Sequence, residues 1–185
     1  MTTTKRTKSM TALLRQLRQM GACSEGIALV RQHATPEAWW AASERGDHML
    51  WLAARAGVRR QDVVLAACAC ARLALPYVTP GETRPLRAIE TAERWARGEP
   101  GATLDDVRTA AAAAYAAANA VAYAAAAAYH VAYAANAVAY TAAAAYYAAY
   151  AANARSSAPR RCADLVRERI PWTTVEHALS EREEG

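Results

Sequence analysis

The sequence predicts an all-α protein, a multi-helix bundle with a long Ala/Tyr-rich central helix or a broken helical hairpin. Three observations predict it. Alanine dominates the 185 residues while Phe is absent and Gly numbers only 8; alanine loses no side-chain entropy in a helix and buries no polar group. No alternating run rich in Val, Ile and Thr asks for a half-buried strand. Helix start and stop signals recur instead along most of the chain.

Taken in order, Thr11–Met20 forms a basic amphipathic segment ended by Gly21, and Ser24 can cap a helix to about His33. Thr35-Pro36-Glu37 is a strong start signal, a capping hydroxyl followed by Pro at the first helical position, and the helix it opens carries Trp39 and Trp40. Asp47 can cap His48–Ala56, which Gly57 closes; Met49, Leu50, Trp51 and Leu52 are too apolar to leave in water. Gln61–Leu75 reads as a largely buried helix with Val64, Cys68, Ala71 and Leu75 on one face, ended by Pro76 and the Pro80-Gly81 stretch. Pro85 opens a helix through Arg97 that Gly98 ends, and Glu99-Pro100-Gly101 makes the clearest turn. Thr103 with Asp106 is a capping signal for the long segment that follows. After Pro159 a short helix runs to about Arg169; Pro171 breaks it, and Thr173 with Glu176 starts the last.

From Ala110 to Ala154 the 45 residues comprise 29 Ala, 8 Tyr, 3 Asn, 3 Val, His130 and Thr141, with no charge, Gly or Pro. Asn119–Ala135 and Asn136–Ala152 are identical at 14 of 17 positions, a tandem duplication of one helical unit. With Tyr115 placed at heptad position d, all eight tyrosines fall on the a, d, e and g side, the geometry of coiled coils and bundles. One helix over residues 104–157 would be roughly 80 Å long at its rise per residue, against roughly 30–40 Å for a compact domain of this size. The segment therefore projects, pairs with a second chain, or breaks into antiparallel helices, with Asn136 the favoured break. The organisation expected is a flexible basic N-terminus over residues 1–10, a single helical domain over 11–180 that contains the Ala/Tyr segment 104–157, and an acidic tail over 181–185.

Composition and motifs exclude more than they identify. The formal charge is +5, and residues 1–20 contribute Lys5, Arg6, Lys8, Arg15 and Arg18 without an acid; such a tail can touch nucleic acid, but a solvated terminus is the plainer reading and nucleic acid is not the expected partner. The uncharged tract lacks Leu, Ile and Phe, and its Tyr and Asn oppose insertion into a membrane. Arg15 and Arg18 interrupt the only early apolar stretch, so no secretory signal is read, a cytoplasmic location is expected, and Cys23, Cys68, Cys70 and Cys162 are expected as free thiols. Cys68 and Cys70, two positions apart on a helix, point about 200° apart and cannot hold one metal. His33, His48, His130 and His177 show no i,i+4 pairing, and no phosphate loop or nucleophile elbow occurs. Asp105-Asp106 reads as helix-terminal charge, and Glu90 and Glu93 as surface partners of Arg87, Arg94 and Arg97. Trp39, Trp40, Trp51, Trp95 and Trp172 read as core by default, and as interface anchors otherwise. Neither an enzyme nor a bound cofactor or metal is expected.

Several stretches in order resemble the immunity-5-like immunity proteins of bacterial toxin systems. They are Gly21-Ala22-Cys23, Ala38-Trp39, Met49–Ala53, Leu65–Val78 (LAACACARLALPYV), Arg84–Glu99 (RPLRAIETAERWARGE), the Ala/Tyr tract and Cys162–Trp172 (CADLVRERIPW). His48 and the 17-residue duplication are local departures. The resemblance implies a helical antidote that binds and neutralises a cognate protein toxin, and it transfers no catalytic residue. If the toxin is held through tyrosines, Tyr129, Tyr133, Tyr140 and Tyr147 are the expected contacts. The alternative is a structural, self-assembling helical protein, a homo-oligomer joined along the Ala/Tyr seam.

Overall fold

The computed structural model describes residues 9–78, 80–117 and 158–184. Those residues are all-α: they form helices, turns and one short 3-10 segment, with no strand among them. They fall into two compact units divided between Ala42 and Ser43.

The first unit holds α1 (Met10–Gln19), α2 (Ser24–Arg31) and α3 (Pro36–Ala42). Ser9 starts α1 by accepting the Ala12 N–H at 3.2 Å, and Leu13, Gln16 and Leu17 form its buried stripe. The start of α2 differs from the sequence expectation. Its N-cap is Cys23, whose Sγ accepts the Gly26 N–H at 3.3 Å, so Ser24 is the first helical residue instead of the cap. Thr35 caps α3 as expected, its Oγ1 accepting the Ala38 N–H at 3.1 Å. Trp39 and Trp40 are both buried and meet edge to face, ring centroids 5.8 Å apart, the arrangement that sets the positive edge of one ring on the negative face of the other.

The second unit holds α4 (Gly46–Ala56), α5 (Arg60–Arg72), α6 (Arg84–Ala96), α7 (Leu104–Ala117), α8 (Ala158–Arg169) and α9 (Trp172–Glu184). Helix α5 is its centre. Val63, Val64, Ala66, Ala67, Cys68, Cys70 and Ala71 are buried on several faces, because α6 packs on one side of it and α4 and α8 on the other. Its small side chains permit that double packing. Helix α8 also lies along α4, α9 packs on α4, and α7 packs on α6. Met49, Leu50, Leu52, Ile89, Val166, Ile170, Val175 and Leu179 fill the spaces between.

Two contacts fix α4 against α8. Gly46 lies so close to α8 that a Cβ there would stand 2.8 Å from Cys162 Cβ and 2.9 Å from Ala163 N. Arg167 on α8 donates to the Ser43 carbonyl at 2.7 Å and to Asp164 Oδ1 at 2.6 Å. Gly57 closes α4 with φ 101°, its neighbour Val58 N–H reaching back to the Ala53 carbonyl at 3.0 Å; a side chain is disfavoured at that φ.

The start of α4 departs from the sequence reading. Gly46, and not His48, opens the helix, and no side chain caps it. Asp47 sits in the first turn and accepts from Arg45 Nε at 2.9 Å and Nη2 at 2.8 Å. Burial works against its charged form, but the Arg45 hydrogen bonds and the adjacent His48 overcome that and hold the carboxyl below its ordinary 3.8. The folded protein therefore takes up this proton at lower pH than the unfolded chain does. Its contribution to stability is complete above the ordinary value and is lost as pH falls through the lower folded one. Thermal midpoints measured from pH 6 down to pH 2 are expected to fall less for Asp47→Asn than for the wild type; parallel curves would remove Asp47 from the acid response.

Thr103 and Asp106 form a full reciprocal box at the start of α7: Asp106 Oδ2 accepts the Thr103 N–H at 2.8 Å, and Thr103 Oγ1 accepts the Asp106 N–H at 3.2 Å. At the other end, Thr173 is the second residue of α9 and does not cap it, and α9 continues to Glu184, where the sequence reading places the acidic tail from 181. The expected break at Asn136, the heptad seam and the duplicated unit lie outside the described residues, as does most of the basic N-terminus. No helix among the described residues is long and apolar enough to cross a membrane.

Candidate partner-binding groove

Helix α6 is amphipathic because Ala88, Ile89, Ala92 and Ala96 face the core at helical spacing. That alignment sends Arg84, Arg87, Thr91 and Arg94, likewise at i, i+3, i+7 and i+10, to the edge bordering α7. Asp106, Thr109, Ala110 and Ala113 of α7 form the opposite wall, and Gly101 and Ala102 close one end. The groove between them measures about 450 Å³. One wall carries the guanidinium groups, and the other carries small side chains and the Asp106 carboxylate.

The charges along it are graded. At one end Arg84 is held by Glu82, whose carboxyl is pulled down to about 2 by hydrogen bonds from the Arg84 side chain and backbone N–H. At the other, Arg94 Nε donates to Glu99 at 3.1 Å and Arg97 Nε donates to it at 2.7 Å. Asp106 is held below its ordinary value first by its hydrogen bonds from Thr103 and further by the charge of Arg94. Arg87, midway, has no carboxylate at ion-pair distance among the described residues; its backbone carbonyl accepts from Thr91 Oγ1 at 2.7 Å.

The sequence assigned these arginines differently. Glu93 does meet Arg97, at 3.8 Å, but its close partner is Arg72 on α5, in a two-pronged pair of 2.7 and 2.8 Å. Glu90, at helical spacing from both Arg87 and Arg94, makes no ion pair among the described residues; Arg94 turns to Glu99, and Arg87 is left to the groove. Only the i, i+3, i+7, i+10 spacing opposite the apolar stripe could have shown this from sequence; the partner on α5 requires the fold. Tyr129, Tyr133, Tyr140 and Tyr147 lie outside the described residues. Of the tryptophans, Trp39, Trp40 and Trp172 are core. Trp51 and Trp95 are half-buried, Trp51 beneath the Arg55 guanidinium at 5.9 Å.

The thiols separate as the helical spacing predicts. Cys68 Sγ points to the Ile89 carbonyl of α6 at 3.8 Å, and Cys70 Sγ to the Cys162 carbonyl of α8 at 3.7 Å. Burial pushes the Cys68 thiol well up; a shared hydrogen bond with Cys162, and then burial, do the same for Cys70. Cys23 is exposed and the other three cysteines are buried. Ellman's reagent is therefore expected to modify one thiol rapidly in the native protein and the other three only after denaturation; a second fast native thiol would contradict this packing. Among the described residues no three His, Cys, Asp or Glu stand together as a metal site.

A family model described as "Imm-5 like putative immunity protein" matches residues 57–176, a span that includes α5 to α8 and the whole arginine groove. No curated protein matches the chain, and no solved structure does.

Proposed function

The chain belongs to the family described as "Imm-5 like putative immunity protein", and from that premise we propose that it binds a cognate protein toxin and blocks it sterically, without chemistry of its own. The family match carries this reading. The second unit supports it as a scaffold: α7 packs on α6 and α6 on the central α5, so the charged groove belongs to a folded surface, which limits the ordering cost of association. The toxin would meet it in the cytoplasm of the producing cell, and charge on the groove would speed the encounter.

The test is genetic. The open reading frame beside this gene is expressed alone and together with the chain. The expected result is growth arrest in the first case and growth in the second, with the two proteins co-purifying. Arrest that the chain does not relieve would overturn the proposal.

A further inference from the structure

We propose that the α6–α7 groove docks an acidic segment of the partner protein, with Arg87 and Arg94 each receiving a carboxylate. This rests on the toxin-binding reading and names the chemistry of its contact.

The two arginines are seven residues apart on α6, so their Cα atoms are separated by about 10 Å along its axis. A helix that carries carboxylates two turns apart presents the same spacing. Arginine's planar fork matches a carboxylate in a two-pronged fashion, which a lysine at the same place would not do. Arg87 is the more available of the two, having no carboxylate of its own among the described residues. Arg94 is shared with Glu99, so an incoming acid exchanges one partner for another there. The opposite wall of Ala110 and Ala113, with Thr109 between turns, lets a backbone approach closely and offers a hydroxyl.

The ends of the groove argue against a nucleic acid. Glu82, Glu99 and Asp106 stand at or beside its termini. A single strand carries a charge roughly every 3.4 Å, so a polyanion running along the groove would meet carboxylates on leaving it. A short acidic segment across Arg87 and Arg94 meets carboxylates only at the Arg94 end, where Glu99 and Asp106 already stand, whereas a polyanion running through meets them at both ends.

The full-length chain, isotope-labelled for NMR, is titrated at low salt with an alanine-based helical peptide carrying glutamates seven residues apart. The same peptide with glutamines and an oligothymidylate serve as comparisons. Shifts at Thr91, Thr109 and Ala110 with the glutamate peptide alone, weakened about tenfold by Arg87→Glu, are expected. Equal binding of the glutamine peptide, or no effect of Arg87→Glu, would overturn the proposal. Tighter, Arg87-dependent binding of the oligothymidylate would also overturn it, in favour of a nucleic-acid groove. Arg87→Gln, which leaves a neutral side chain at this exposed position, repeats the test without charge reversal. In the growth assay, rescue by the wild type but not by Arg87→Glu supports the groove; rescue by both sinks the groove and keeps the toxin-binding reading. Arrest relieved by neither overturns that reading, and the peptide titration still decides the groove.

Discussion

Gly46→Ala is expected to destabilise the protein by about 2–3 kcal/mol, as overpacking does, although the position is helical. Helix propensity alone gives the opposite sign, since Ala is favoured over Gly in a helix by about 1 kcal/mol. The reason is distance. A Cβ at position 46 would lie 2.8 Å from Cys162 Cβ and 2.9 Å from two backbone atoms of α8, Ala163 N and Cys162 C. A flexible side-chain tip could swing away from such a contact, but backbone atoms move only with their helix. Because α8 also packs on α5, displacing it disturbs two interfaces at once. Urea unfolding followed by circular dichroism measures the effect, and a Gly46→Ala protein more stable than the wild type would refute the close approach of α4 and α8.

Removing the Arg167 side chain is expected to cost about 2 kcal/mol, in the range for hydrogen bonds to charged groups. Its guanidinium holds the Ser43 carbonyl at 2.7 Å and Asp164 at 2.6 Å, and its Nη1 lies 3.8 Å from the sulfur of the fully buried Met49. Arg167→Ala leaves that carbonyl without this donor and opens space beside Met49. Arg167→Lys is the sharper comparison, because one ammonium on a flexible stem cannot span both acceptors as the planar fork does. Asp164→Ala, by contrast, is expected to lose well under 1 kcal/mol, since this i,i+3 pair is 43 % exposed on the aspartate side. If Arg167→Ala and Asp164→Ala lose the same amount, the Ser43 bond is not what matters.

The helices were legible where the signal is local. Thr35-Pro36, Gly57, Gly98, Thr103 with Asp106, and Pro171 each act within one turn, so their chemistry is written in neighbouring residues. The divergence of Cys68 and Cys70 followed from helical geometry in the same way. What misled was chemistry with more than one local solution. Cys23 caps α2 because a thiol can accept a hydrogen bond where a serine was at hand one residue later. Asp47 has the right chemistry for a cap, but the chain reaches helical geometry a residue before it, and the carboxylate turns to Arg45. Glu93 had Arg97 at helical spacing, yet its close partner lies 21 positions away on α5. The groove could not be read in advance, because Glu90 stands at helical spacing from both Arg87 and Arg94 and only the fold shows that it pairs with neither among the described residues. The family itself was legible from the resemblance carried by short strings such as LAACACARLALPYV and CADLVRERIPW, both of which lie within the matched span.

Arg167 and Ser43 stand 124 positions apart, and Gly46 meets Cys162 across nearly as long a stretch of chain. A ribosome that releases the protein from its N-terminus delivers α4, α5 and α6 long before the helix that seals α4 exists. Until residues 158–184 emerge, α4 has α5 beside it but neither α8 nor α9 to cover it. Completion of the second unit therefore waits for α8 and α9 to be made, and a message cut short anywhere before α8 yields a nascent chain that cannot close.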